Sequence, residues 1–402
     1  MYKISFFLFL CFFSISSFGQ HILRGKVQHA STKEAIVGAS VYINNSSIGT
    51  STTKDGSYSL RIPSTGNYEV VVVALGYQSE SQRMESDSRK ELNFLLHAKV
   101  QDIEAVEIAP YLKDGWKEWG QYFTETFIGR SRFAKNTKLL NPEVLQFRYS
   151  KNKQLLTVKA SEPLRINNKD LGYMISYDLS AYKMDFKNQY LFFEGTVFMQ
   201  SNAKVSNKIL QHRKEVYASS LLRFLRSIYA DNVVSEGYDI RVLKRVVNNQ
   251  KVRADSVLQP IRQEVHTLYQ GNWNAYYTAN RTVPRDSINQ WMAWSAEPKT
   301  YSILGDKIPI SSLLVVPSDI PGTVALKYTD FLYVANDAIN FEPQYFSGLG
   351  HQLSASLLSM PEGASIYVDQ LGNYYPAQNW VLEGYWGWYS KVATMLPFDY
   401  GL

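Results

Sequence analysis

His212 and Glu215 stand three residues apart, the spacing at which a helix brings an imidazole and a carboxylate to one face. With a distant third histidine, His266 or His351, such a pair could hold zinc with an open position for water, the chemistry of metal-assisted hydrolysis. Arg213 and Lys214 lie inside the pair and repel a cation, so the spacing fits a helix-surface His and Glu better, and no metal or cofactor is expected. Ser219-Ser220 falls within a helical pattern and lacks the G-x-S-x-G elbow of a serine nucleophile, and no phosphate-cradling or dinucleotide motif occurs. Glu342, Glu362, Asp369 and Glu383 are scattered carboxylates that only folding could pair as a glycosidase requires. No catalytic residue is assigned, and the chain reads as a non-enzyme.

Two stretches could bind rather than react. Between Lys204 and Arg253 eleven lysines and arginines face Glu215, Asp231, Glu236 and Asp239, against a net charge of +6 for the whole chain. Arg213, Arg223 and Arg226 are its candidate contacts to an acidic partner, an acidic glycan or an anionic membrane surface; the alternative is a solvated helix face. No nucleic-acid motif accompanies the charge, and nucleic acid is not expected. In Tyr385-Trp386-Gly387-Trp388-Tyr389, a strand would set Trp386 and Trp388 on one face. Exposed, the pair would stack on sugar rings or anchor a protein; buried, it would only build core.

These residues need elements to hold them. Residues 1–19 read as a signal peptide, with Lys3, an apolar run from Phe6 to Phe13, and small residues Ser17 and Gly19 before a cut ahead of Gln20. Leu10 before Cys11 does not fit a lipid-attachment signal. Loss of Cys11 with the leader leaves no cysteine for disulfides, thiolate metal sites or nucleophilic catalysis. An exported protein follows, of the periplasm or the outer-membrane surface. All eight Trp lie after position 115, a shift that puts a domain boundary near Pro110, with domains 20–108 and 109–402.

In the first domain, short alternating runs are predicted at 22–28, 39–44, 49–54, 57–62, 68–75, 92–96 and 105–108, punctuated by Gly38, Asp55-Gly56 and Gly76. Seven strands in about ninety residues make an antiparallel sandwich. The near-continuous valines of 68–73 make a central strand buried on both faces. Gly25-Lys26-Val27, Gly38 with Val41, Gly49-Thr50, Thr53-Lys54-Asp55-Gly56-Ser57-Tyr58 and Gly76-Tyr77, in that order, resemble the carboxypeptidase regulatory-like domain, a transthyretin-like β-sandwich. The resemblance implies a non-catalytic module of secreted and outer-membrane proteins of Gram-negative bacteria. Some of these are TonB-dependent receptors, but here no plug follows and the remainder is too short for their barrel.

The second domain reads as larger and β-rich, with one or two helices. Trp116, Trp119, Tyr122, Phe123 and Phe127 share a helical face ended by Gly129, and Tyr217, Leu221, Phe224, Leu225 and Ile228 give a helix over 210–229. Strands are expected at 144–149, 155–160, 173–179, 189–193, 238–247, 252–269 and 313–316. Phe127-Ile128-Gly129-Arg130-Ser131, Pro163-Leu164-Arg165-Ile166, Arg223-Phe224-Leu225-Arg226 and Leu396-Pro397-Phe398-Asp399-Tyr400 are similar to the partner domain of exported proteins known only as carboxypeptidase-like regulatory domain-containing. That resemblance implies no activity. The expected protein is mainly β, a seven-stranded transthyretin-like sandwich and a β-rich domain, binding an envelope protein or a glycan.

Overall fold

The computed structural model describes residues 20–63, 67–85, 91–99, 110–202, 204–280, 282–315, 320–346 and 354–401. The expected leader 1–19 with Cys11, the closing strand 105–108 and His351 lie outside them.

The first domain is a sandwich of seven described strands. One sheet runs Ser57–Pro63, Gln20–His29, Phe94–Leu96; the other runs Gly49–Ser51, Ser40–Ile43, Asn67–Val73, Glu80–Glu85. Alternation fixes which face is buried: along Ser57–Pro63, Tyr58, Leu60 and Ile62 point inward against Leu23, Val27, Val41, Val70 and Val72. The valine strand lies inside its sheet with Val70, Val71 and Val72 fully buried, as its unbroken apolar run predicts. Gly25 is dictated by packing, because a Cβ there would sit 1.8 Å from the Leu92 carbonyl oxygen. The strand Glu80–Glu85 is not among those predicted. Only Met84 of its six residues is buried, so it lacks a readable apolar face.

The larger part is mainly β but carries eight α-helices among the described residues, not one or two. A sheet built from strands between Thr137 and Ser201 packs on helix Gly115–Phe127 through Phe123, Phe127, Phe147, Tyr177 and Tyr182. A five-stranded sheet from Tyr238–Val247 to Val381–Glu383 and a four-stranded sheet from Leu314–Val315 to Tyr374–Tyr375 share a second core around Phe224, Tyr238, Leu332 and Trp386.

Three local expectations are corrected. The predicted strand over 252–269 is a helix, Asn249–Tyr269, started by the Asn248 side chain accepting from the Lys251 amide and ended at left-handed Gln270. Its buried residues Ala254, Leu258, Ile261 and Val265 recur at helical spacing, and Pro260 is tolerated on the solvent side. With Trp273–Ala279 and Arg285–Ala296 it forms a helical insertion with its own small core.

The helix predicted over 210–229 is two, Asn207–Ser219 and Leu221–Tyr229. Ser220 has extended dihedrals and caps the second by accepting from the Arg223 amide, so the apolar face is as expected but the chain bends within it. The aromatic tail is not a strand: Gly384–Tyr389 is a short helix. At roughly 100° per residue, Trp386 and Trp388 then point in different directions instead of sharing a face.

Candidate functional site

The residues singled out for binding are used by the fold. Arg213 is buried, donating to the Leu171 and Gly172 carbonyls and to Ser201 Oγ while stacking on Tyr173 at 3.9 Å. Arg223 holds Glu236 at 2.8 Å and the carbonyls of Ala218 and Glu236. Arg226 donates to three carbonyls, Phe398 and Tyr400 at 2.8 Å and Leu371 at 3.1 Å. A solvated basic face therefore does not exist at these three positions. Turns and a terminal segment leave carbonyls without ladder partners, and guanidinium forks satisfy several at once. Trp386 is 1% exposed, packs on Phe224 at 5.0 Å and donates its indole N–H to the Ser219 carbonyl at 3.0 Å. Trp388 is half-buried against Tyr345, so no exposed tryptophan pair forms.

The hydrolytic constellations do not assemble among the described residues. His212 Nδ1 meets the Asp170 carbonyl at 3.1 Å and its ring stands edge-on to Phe133, while Glu215 pairs with Arg132. His266 is exposed on the helical insertion, and no group of three His, Cys, Asp or Glu is placed to hold a metal. Of the scattered carboxylates, Glu383 pairs with Arg245, Glu342 accepts the Arg132 amide at 2.7 Å, Glu362 is exposed, and Asp369 closes a hairpin turn. Ser219 ends one helix and Ser220 caps the next.

What the fold does bring together is a junction. Asn45 donates its amide to the Val197 carbonyl and Asn44 Oδ1 accepts the Val197 amide, both at 2.8 Å. Tyr42 stacks on Phe198 with ring centroids 5.3 Å apart and bonds Thr196. The C-terminal segment completes the seam: the Phe398 amide donates to the Asn45 carbonyl at 2.7 Å, and Asp399 accepts the Ser47 amide at 2.7 Å. Since Arg226 grips the same segment, sandwich, helix and tail are tied at one place.

Beside that seam lies a cavity of about 770 Å³. Its walls come from the valine strand and its neighbour (Tyr68, Glu69, Arg83), from the central sheet (Tyr177, Phe193, Glu194), from helix Leu221–Tyr229 (Leu222, Leu225), and from the last strands and tail (Asp369, Tyr374, Tyr375, Lys391). Burial dominates its chemistry. The Asp369 carboxyl is pushed up to about 6 by burial, even though it accepts the Leu371 and Asn373 amides at 2.9 Å. Burial also raises the Tyr374 phenol to about 12 and pushes the Lys391 ammonium down to about 8. Glu69 is engaged by Asn44 at 2.7 Å and Ser81 at 2.8 Å, and Arg83 stacks on Tyr375 at 4.5 Å.

Of these cavity residues only Asp369 was singled out in the sequence for its chemistry, as a scattered carboxylate, and nothing there placed it with the others. The cavity residues come from seven separate stretches, and Lys391 stands alone between an aromatic run and Val392-Ala393, with no spacing to mark it.

Residues 23–108 match the family model for a CarboxypepD_reg-like domain, which covers the sandwich and stops before the larger part. No curated protein matches the chain. Among solved structures, a protein of unknown function from Bacteroides fragilis NCTC 9343 aligns over 89% of this chain and 98% of its own at 11% identity, with a TM-score of 0.15. A 9R-lipoxygenase from Cyanothece PCC8801 aligns over 52% of this chain and 48% of its own at 9% identity, with a TM-score of 0.16. Superpositions this poor carry no argument about fold or chemistry. No helix among the described residues is long and apolar enough to cross a membrane.

Proposed function

We propose that this chain is a non-catalytic binding protein of the cell envelope, and that its ligand site is the cavity where the regulatory-like sandwich meets the larger part. The observation that carries the reading is the cavity itself. At about 770 Å³ it falls within the ~300–1,000 Å³ of small-ligand sites, and several separate elements converge on it with aromatic walls interspersed with polar and charged side chains. The leader expected over 1–19 and the regulatory-like match support an exported binding module. The separate engagement of Glu342, Asp369 and Glu383 argues against a hydrolase.

A test blocks the cavity. Ala377 lines it and is half-exposed, so Ala377→Trp would fill space without opening the core. Wild type and variant are screened by ligand-observed NMR against oligosaccharides and small aromatic acids and alcohols. The reading expects at least one class to bind wild type and be lost in a folded Ala377→Trp protein. Equal binding to both, or none at millimolar concentration, defeats it.

A further inference from the structure

The cavity lining holds a lysine to which none of the described residues offers an acceptor. Lys391 is half-buried because it faces the cavity, and its Nζ lies 5.4 Å from the centroid of the Phe193 ring. Among the described residues no carboxylate lies within ion-pair distance of it and no carbonyl or hydroxyl accepts from its ammonium. The acids nearby are not its partners: Asp369 is turned into its own hairpin, Glu69 is held by Asn44 and Ser81, and Glu194 is exposed. Arg83, the other cation of the lining, is exposed and stacked on Tyr375. An ammonium in a cavity wall with no paired acid is a standing penalty unless something it binds compensates. Its lowered proton affinity, caused by burial, agrees with that isolation.

Resting on the cavity reading above, we propose that the ligand is a small molecule with an anionic oxygen headgroup on a flat apolar body. The headgroup pairs with Lys391 Nζ, and the body lies among Tyr177, Phe193, Tyr374 and Tyr375. A charge-assisted bond to an ammonium partly withdrawn from water is stronger than the same bond at the surface, so the headgroup sets preference and the rings set shape.

Two probes of one body separate headgroup from cavity: 2-naphthoate and 2-naphthalenemethanol. In wild type, calorimetry should show the carboxylate binding about tenfold or more tighter than the alcohol, the ratio a charge-assisted hydrogen bond supplies. Lys391→Met should reduce naphthoate to near the alcohol's level and weaken the alcohol by much less, while Lys391→Arg should restore part of the preference. In unmodified wild-type protein, naphthoate and not the alcohol should slow acetylation of Lys391 by acetic anhydride, read by peptide mass spectrometry. Equal affinity for both probes, a preference that survives Lys391→Met, or absence of protection overturns the headgroup assignment. Loss of both probes in Ala377→Trp in any of those cases would leave the cavity reading standing. If neither probe binds wild type at millimolar concentration, the headgroup assignment falls, and the cavity reading is decided by the oligosaccharide arm of the NMR screen.

Discussion

Arg226→Met tests whether the basic segment builds the fold or meets a partner. Methionine keeps most of the apolar stem and removes only the guanidinium, which donates to the carbonyls of Phe398, Tyr400 and Leu371 and lies 5.6 Å from the Tyr217 ring. Hydrogen bonds from charged groups contribute about 1.5–3 kcal/mol each when buried, but Arg226 is half-buried and water can reach part of the site. A value of about 1 kcal/mol per bond is therefore more suitable, or about 3 kcal/mol in all. For a chain of this size, with a urea slope of about 3 kcal/mol/M, the midpoint of the transition that includes the C-terminal segment should fall by about 1 M. The same loss should free the segment from Ser47 and Asn45, so limited proteolysis should cut near Pro397 at protease levels that leave wild type intact. Arg253→Met, on an exposed residue of the helical insertion, serves as the charge control and should stay within about 0.5 kcal/mol. A midpoint unchanged in Arg226→Met, together with loss of an envelope partner, would refute the structural role and restore the contact surface.

Other perturbations follow from the same packing. Trp386→Ala should destabilise by about 3–5 kcal/mol in urea unfolding, since it empties a fully buried site, and Trp386→Phe by less, from the orphaned Ser219 carbonyl. Gly25→Ala drives a methyl into the Leu92 carbonyl oxygen and should cost about 3 kcal/mol or prevent the sandwich from folding, visible in its circular dichroism. Asp369 binds its proton more tightly folded, at about 6 against 3.8 as an ordinary carboxyl, so its contribution to stability falls as pH rises from about 4 to about 6. Asp369→Asn should remove up to about 3 kcal/mol of that slope, measured as the difference in unfolding free energy between pH 4 and pH 7. Lys391 holds its proton less tightly folded, at about 8 against 10.5, so its penalty is full below pH 8 and fades toward pH 10.5. Lys391→Met should be about 1–3 kcal/mol more stable than wild type at pH 7 and nearly equal to it at pH 10, by urea unfolding.

Legibility differed sharply between the two parts of the chain. In the sandwich, Tyr58, Leu60 and Ile62 alternate with polar residues and Gly56 takes a left-handed turn, so strand, face and hairpin are all written within eight residues. In the helical insertion, Val252, Val257 and Val265 mimic a strand by composition, while the helical spacing of Ala254, Leu258, Ile261 and Val265 decides the structure. The arginines at 213, 223 and 226 show a different limit: their spacing on a helix says where they start, but their long stems carry the charge wherever carbonyls need donors.

By itself the sequence determined what depends on neighbours along the chain: the sandwich with its glycine turns, the two apolar helical faces, and the lack of any ordered reactive motif. Those signals are local, set by backbone dihedrals and by periods of two or of about three and a half. Only the tertiary structure decided that Trp386 is core, that Arg226 binds the tail, and that Lys391 lines a cavity where none of the described acids pairs with it. Each of those is a matter of which distant backbone arrives opposite a side chain. That is fixed by how the sheets, helices and tail close on one another, and no spacing within one segment records it.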